Sequence, residues 1–167
     1  STNAHLDMSR LHADITVRPT TTLPDELEGE VAASLAFDVY AVPDCDSDSW
    51  LGLSGTLSRS VVANWFEDRV HDHSVRGAAD SFLTLRELAI SGLGQAIMPC
   101  VLGDSDARLE RRRGVMPPLA VDIWVASHRD LAQVPRISAV RRLLVTALHG
   151  DRHRLAGQTD TTDMNVS

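Results

Sequence analysis

Hydrophobic and polar positions in this chain fall into short alternating runs and longer three- and four-residue repeats, most of them closed by glycine or proline. The clearest stretch is Ala79–Gly103. Asp80 and Ser81 offer side-chain acceptors suited to a helix N-cap, and Phe82, Leu85, Leu88, Ala89 and Leu93 recur on one helical face. Gly92 and Gly94 end that helix, because glycine enters the left-handed region without steric cost and lets the chain reverse. A strand over Gln95–Met98 follows, stopped by Pro99. The spacing therefore predicts a helix whose N-terminus and a strand whose C-terminus belong to one αβ unit, the places where α/β proteins put ligands.

The rest of the chain reads in the same way. Leu6–Leu11 suggests a helical turn, Ala13–Arg18 an apolar strand ending at Pro19, and Val31–Val42 a longer strand alternating around Leu35, Phe37, Val39 and Ala41. After an acidic loop over Asp44–Ser49, Trp50–Leu53 is a short strand. Thr56 or Ser58 then caps a helix carrying Val61, Val62, Trp65, Phe66 and Val70, which His71–Ser74 breaks. Val75–Ala79 and Leu119–Ser127 read as strands, Arg108–Arg113 as an exposed charged segment and Pro117–Pro118 as a rigid turn. Pro135 opens a last helix through Ile137, Val140, Leu143, Leu144, Ala147 and Leu148; beyond Gly150 periodicity is lost and a frayed tail is expected. Strands alternating with helices argue an α/β fold.

Composition narrows the function. The net charge of −7 opposes a nucleic-acid backbone, and no apolar run reaches the ~20 residues of a membrane span. Cys45 and Cys100 lie in no metal-type spacing, which favours free thiols in a reducing cytoplasm. Gly52-Leu53-Ser54-Gly55 lacks the second glycine of a nucleophile elbow, and Gly92-Leu93-Gly94 closes a helix rather than opening one, so neither a hydrolase nor a phosphate cradle is expected. His71-Asp72-His73 and the His149/His153 pair read as solvated groups, as do Arg111–Arg113 and Arg141–Arg142. No catalytic set, metal site or cofactor is expected. Trp65 and Phe66, with Val62, read as core or, on a helix exposed along one side, as a dimer surface. Arg18, Asp38 and Asp80 are singled out because each lies at or near the end of an apolar element.

Three segments carry a family likeness. LDMSRLHADITVRP (6–19) resembles the LDLSRREADIAIR segment of LysR-type transcriptional regulators, ISGLGQAIMPCVLGD (90–104) their AGLGIALLPCFLGD, and WVASHRDLAQVPRISAVRRLL (124–144) their closing WLLVHPDLRRTPRVRALLDFL. The segment ending FDVYAVP is similar to their crossover between lobes. The resemblance implies the C-terminal effector-binding domain, similar to type II periplasmic binding proteins: two α/β lobes joined by crossover strands, a small metabolite held between them, and no enzymatic activity. It implies a partial first lobe (1–43 and 128–149), whose opening strand, helix and strand would lie upstream, a second lobe with a crossover (44–127), and a disordered tail (150–167).

Carried over by position, the effector contacts are Arg18, Pro19, Thr20, Thr21, Val42, Ala79, Asp80, Ser81, Pro99 and Cys100. The resemblance also implies a cytoplasmic bacterial regulator; a homodimer or higher homo-oligomer is expected from the apolar helix carrying Val62, Trp65 and Phe66, taken as the dimer contact, and from the exposed edge of the partial lobe. It would touch DNA only through an upstream helix-turn-helix and would not touch membranes. A secreted solute-binding protein of a transporter is the alternative. Asp80 beside a helix start disfavours a carboxylate unless Arg18 offsets it, so a neutral or cationic effector is expected.

Overall fold

A computed structural model of the chain describes residues 14–158. The expected turn at Leu6–Leu11 lies outside the described residues. The chain divides into two compact units: residues up to Ser34 together with Asp122–Asp151, and Leu35–Val121 together with the segment from Arg152. It passes from one to the other inside long strands. The compact units meet at 34/35 and 121/122, while the resemblance implies lobes divided at 43/44 and 127/128. Proline and turn residues mark where a strand stops, whereas the units change partners in mid-strand, where hydrogen bonding continues.

In the first unit, β1 (Thr16–Pro19) pairs antiparallel with β7 (Leu119–His128), Thr16 opposite Ala126 and Pro19 opposite Ile123. Proline fits there because β1 is an edge strand, and Val17 stays 46% exposed. β2 (Leu27–Ala41) begins four residues before the alternation predicts, since its early part, Leu27-Glu28-Gly29-Glu30, is too polar to stand out. A methyl at Gly29 would overlap the Val125 carbonyl and the Ala126 side chain, so glycine permits that close approach. The buried residues include Leu27, Ile123, Val125 and Ile137, the last from α4 (Pro135–Gly150), which has proline at its first turn as predicted. Arg141 of α4 donates to the buried Ser127 hydroxyl at 3.3 Å, so it is not a solvated surface charge.

The second unit is built around the later half of β2. It pairs antiparallel with β5 (Ala96–Pro99), Phe37 opposite Pro99, and with a short strand β6 (Glu110–Arg111), Tyr40 opposite Arg111. β3 (Trp50–Leu53) and β4 (Val75–Ala79) pair in parallel, and a bridge from Trp50 to Gln95 links them to β5. A side chain at Gly94 would meet the Ser49 carbonyl at 3.1 Å; this tight crossing is the reason for glycine there, while Gly92 (φ 83°) supplies the left-handed reversal. The helix after β3 starts later than its expected caps: Gly55–Arg59 forms a 3-10 turn, and α1 spans Ala63–Arg69. Trp50 lies 6.0 Å from Trp65 and 5.9 Å edge-on from Phe66, so this apolar stripe packs inward. α2 (Phe82–Ile90) lays Leu85 and Ala89 on a core that includes Tyr40, Leu51, Met98 and Cys100.

Arg108–Arg113 is not simply an exposed run: β6 lies in it, Arg111 is largely buried, and Arg112 donates to the Cys45 carbonyl at 2.7 Å. Nor does the chain fray directly after Gly150. α5 (Arg152–Leu155) contacts α3 (Cys100–Gly103), and Gly157 is buried, its carbonyl accepting from Arg111 Nη1 at 2.7 Å. Polar sequence hid this docking because a backbone carbonyl, not an apolar side chain, makes the contact.

Candidate functional site

β4, α2 and β5 bring together the central part of the expected site. Ala79 is the buried last residue of β4, and its carbonyl accepts from the Ser54 amide at 2.9 Å. Asp80 is exposed, beside the turn at Gly55. Ser81 occupies the N-cap of α2 in extended conformation, yet its side chain makes no capping bond to the helix. The amphipathic pattern thus locates the helix start correctly, while the capping chemistry expected of Ser81 is not realised. Phe82, the first helical residue, packs its ring 5.8 Å from Phe37, and Phe37 stands opposite Pro99 in the β2–β5 ladder. This aromatic pair ties the start of α2 to the end of β5. Sequence reading missed that tie; alternation marked Phe37 as core without naming its partner.

Cys100 is fully buried, and burial pushes its thiol pKa up. Its carbonyl accepts from Tyr40 Oη at 3.4 Å, and Gly157 lies over its sulfur, so its side chain belongs to the core. Tyr40 Oη also donates to Asp104 Oδ1 at 2.7 Å; burial first, then these bonds, raise the phenol far above its ordinary value. Val42 is half-buried just after β2. In the first unit Arg18 stands opposite Trp124 and Pro19 opposite Ile123, both exposed, and the Thr20 amide donates to the Asp122 carbonyl at 3.0 Å. The Thr20 hydroxyl donates to the Thr22 carbonyl at 2.8 Å, and Thr21 is exposed.

Of the expected dimer residues, Val62 is fully buried and Phe66 nearly so, which leaves Trp65 half-buried at the surface of α1. Asp38 has a local hydrogen-bonding role. Its Oδ1 accepts from the Val39 amide at 2.8 Å and its Oδ2 from Arg111 Nε at 2.6 Å. The rings of His71 and His73 stack at 5.5 Å on an exposed turn, and among the described residues no group of His, Cys, Asp and Glu could hold a metal ion.

Two α/β units, between which the chain passes inside β2 and β7, are the architecture of type II periplasmic-binding-protein-like domains. Residues 12–149 match the LysR substrate binding domain family, and the chain belongs to that family. It is therefore the effector-sensing domain of a LysR-type transcriptional regulator and not a secreted solute-binding protein, and the family is not one of enzymes. Solved structures share the fold. The regulatory domain of CrgA, a LysR-type transcriptional regulator from Neisseria meningitidis, is 20% identical with a TM-score of 0.62, covering 81% of this chain and 75% of that one. The AmpR effector binding domain from Citrobacter freundii is 19% identical (TM-score 0.62; 82% and 75%). The Synechocystis CcmR regulatory domain in complex with 2-PG is 14% identical (TM-score 0.62; 83% and 73%). No curated protein sequence matches the chain.

Proposed function

We propose that this domain binds a small neutral or cationic metabolite at the start of α2, with Ala79, Asp80 and Ser81 on one side and Pro99 on the other. Val42 of the second unit supplies a further contact. The observation that carries the reading is the Phe37–Phe82 packing, which holds the N-terminus of a nine-residue helix beside the end of β5 in a chain of this family. The exposed Asp80 sets the charge preference, because a carboxylate placed there meets a like charge. Binding shifts a pre-existing balance of domain arrangements by no more than its differential affinity for them, typically ~1–3 kcal/mol. No bond in the metabolite is made or broken.

The regulator acts in the cytoplasm as a homodimer or larger homo-oligomer, and reaches DNA through a helix-turn-helix elsewhere in the full protein. No helix among the described residues is long and apolar enough to cross a membrane. Trp65 is the half-exposed residue through which a second copy would touch α1, with Val62 and Phe66 behind it.

The binding site is tested by following the backbone amides of the intact chain by NMR during titration with propylamine, propionamide and propionate. The expected result is a larger response to the amine or the amide at Ala79–Ser81, with the preference lost in Asp80→Ala. Strongest binding of propionate there, weakened by Asp80→Ala, overturns the reading.

A further inference from the structure

Within the second unit a cavity of about 470 Å³ opens between β2, the loop before β7 and the segment that follows α5, with Phe37 among its lining residues. That volume lies in the range of small-ligand sites, about 300–1,000 Å³. Its walls are largely carbon: Met116, Pro117, Pro118 and Leu119 come from the loop and from β7, and Ala156 from the C-terminal segment. Two consecutive prolines stiffen that loop by fixing φ, and Gly114 (φ 83°) makes the turn that leads into it. The cavity is therefore formed largely by rigid backbone before any ligand arrives.

Three charged side chains border it: Asp38, Arg111 and Arg113. Both oxygens of Asp38 are already engaged, one by the Val39 amide and one by Arg111, so no carboxylate is left to receive a cation. Arg113, by contrast, makes no hydrogen bond or ion pair among the described residues, and it is exposed. Among the described residues the local balance is one uncompensated positive charge beside an apolar hollow. We propose that this cavity is a second ligand site, separate from the effector site, and that it takes a monocarboxylic acid with an apolar body, its carboxylate on Arg113. A polyphosphate fits poorly, since the one free cation among the described lining residues leaves its further charges against carbon walls. Arg113 at the rim pairs bidentately with a carboxylate, while the hydrocarbon body displaces water from the proline wall.

The test uses 4-phenylbutyrate and its uncharged amide, followed by NMR of the 15N-labelled chain. At about 0.3 kcal/mol for each of about a dozen heavy atoms, the acid should bind with a Kd of about 2 mM. Saturable shifts are expected at the amides of Gly114, Met116, Leu119, Ala120 and Ala156. The amide of the ligand should bind about fivefold more weakly, the factor an exposed ion pair of about 1 kcal/mol supplies. Arg113→Ala should weaken the acid by the same factor and leave the amide unchanged, while Asp80→Ala should alter neither. Equal binding of acid and amide by the wild-type chain overturns the proposal without any variant, as does a response centred on Ala79–Ser81 or the absence of saturation. Failure at these loop amides leaves the effector site untouched, so the two readings fall separately.

Discussion

Replacing Arg111 by methionine should be among the more damaging single changes in the second unit. The substitution keeps an unbranched apolar stem but shortens the side chain and removes its charge and its hydrogen bonds to Asp38 and Gly157. Asp38 and Arg111 have side chains only 11% and 17% exposed, so the carboxylate left behind is largely cut off from water. Breaking a buried pair in this way typically costs about 3–5 kcal/mol, and the lower end applies where solvent reaches the rim. Loss of the bond to the Gly157 carbonyl adds about 1 kcal/mol. At about 2–4 °C per kcal/mol for a domain of this size, the melting temperature should fall by about 10 °C.

Urea unfolding followed by circular dichroism measures the loss directly. Arg111→Met/Asp38→Leu should be more stable than Arg111→Met alone, because no charge is then stranded, with a coupling energy of about 2 kcal/mol in the double-mutant cycle. Hydrogen exchange supplies an independent readout. The amides of Gly157 and Gln158, bonded to the Arg154 and His153 carbonyls, should exchange faster in Arg111→Met because the C-terminal segment loses its anchor. A loss below about 1 kcal/mol, or losses that simply add in the double variant, would refute the reasoning.

Gly103→Ala places a methyl against the ring of Tyr40, which is itself packed in the core and bonded to Asp104; overpacking of this kind costs about 1–3 kcal/mol and should be visible as a lower urea midpoint, whereas the same change at the open position Gly150 should not lower it. Asp106 receives hydrogen bonds from the Arg108 side chain and backbone that lower its pKa from 3.8 to about 2, so its stabilising interaction is complete above the unfolded value and is lost as pH falls toward 2. Carboxyl NMR titration should show the Asp106 midpoint rising toward the ordinary carboxylate range in Arg108→Ala; an unchanged midpoint would assign the depression to something other than Arg108.

How much was legible in the chain itself depended on whether the signal was local. Alternation and helical spacing located β3, β4 and the start of α4, and glycine and proline located the turn after α2 and the end of β5, because each of these is decided within a few residues by sterics and by one face's need for burial. The three family segments were equally local in character, and they carried the type of fold and the class of function. What only the tertiary structure decided were pairings between residues far apart in sequence. Asp38 meets Arg111, Phe37 meets Phe82, Trp50 gathers Trp65 and Phe66, and the Gly157 carbonyl meets a guanidinium that reads in the sequence as one of three exposed arginines. Charge and polarity alone cannot tell a solvated arginine from a buried one, since the difference is made by which carboxylate and which carbonyl the fold brings within reach of it.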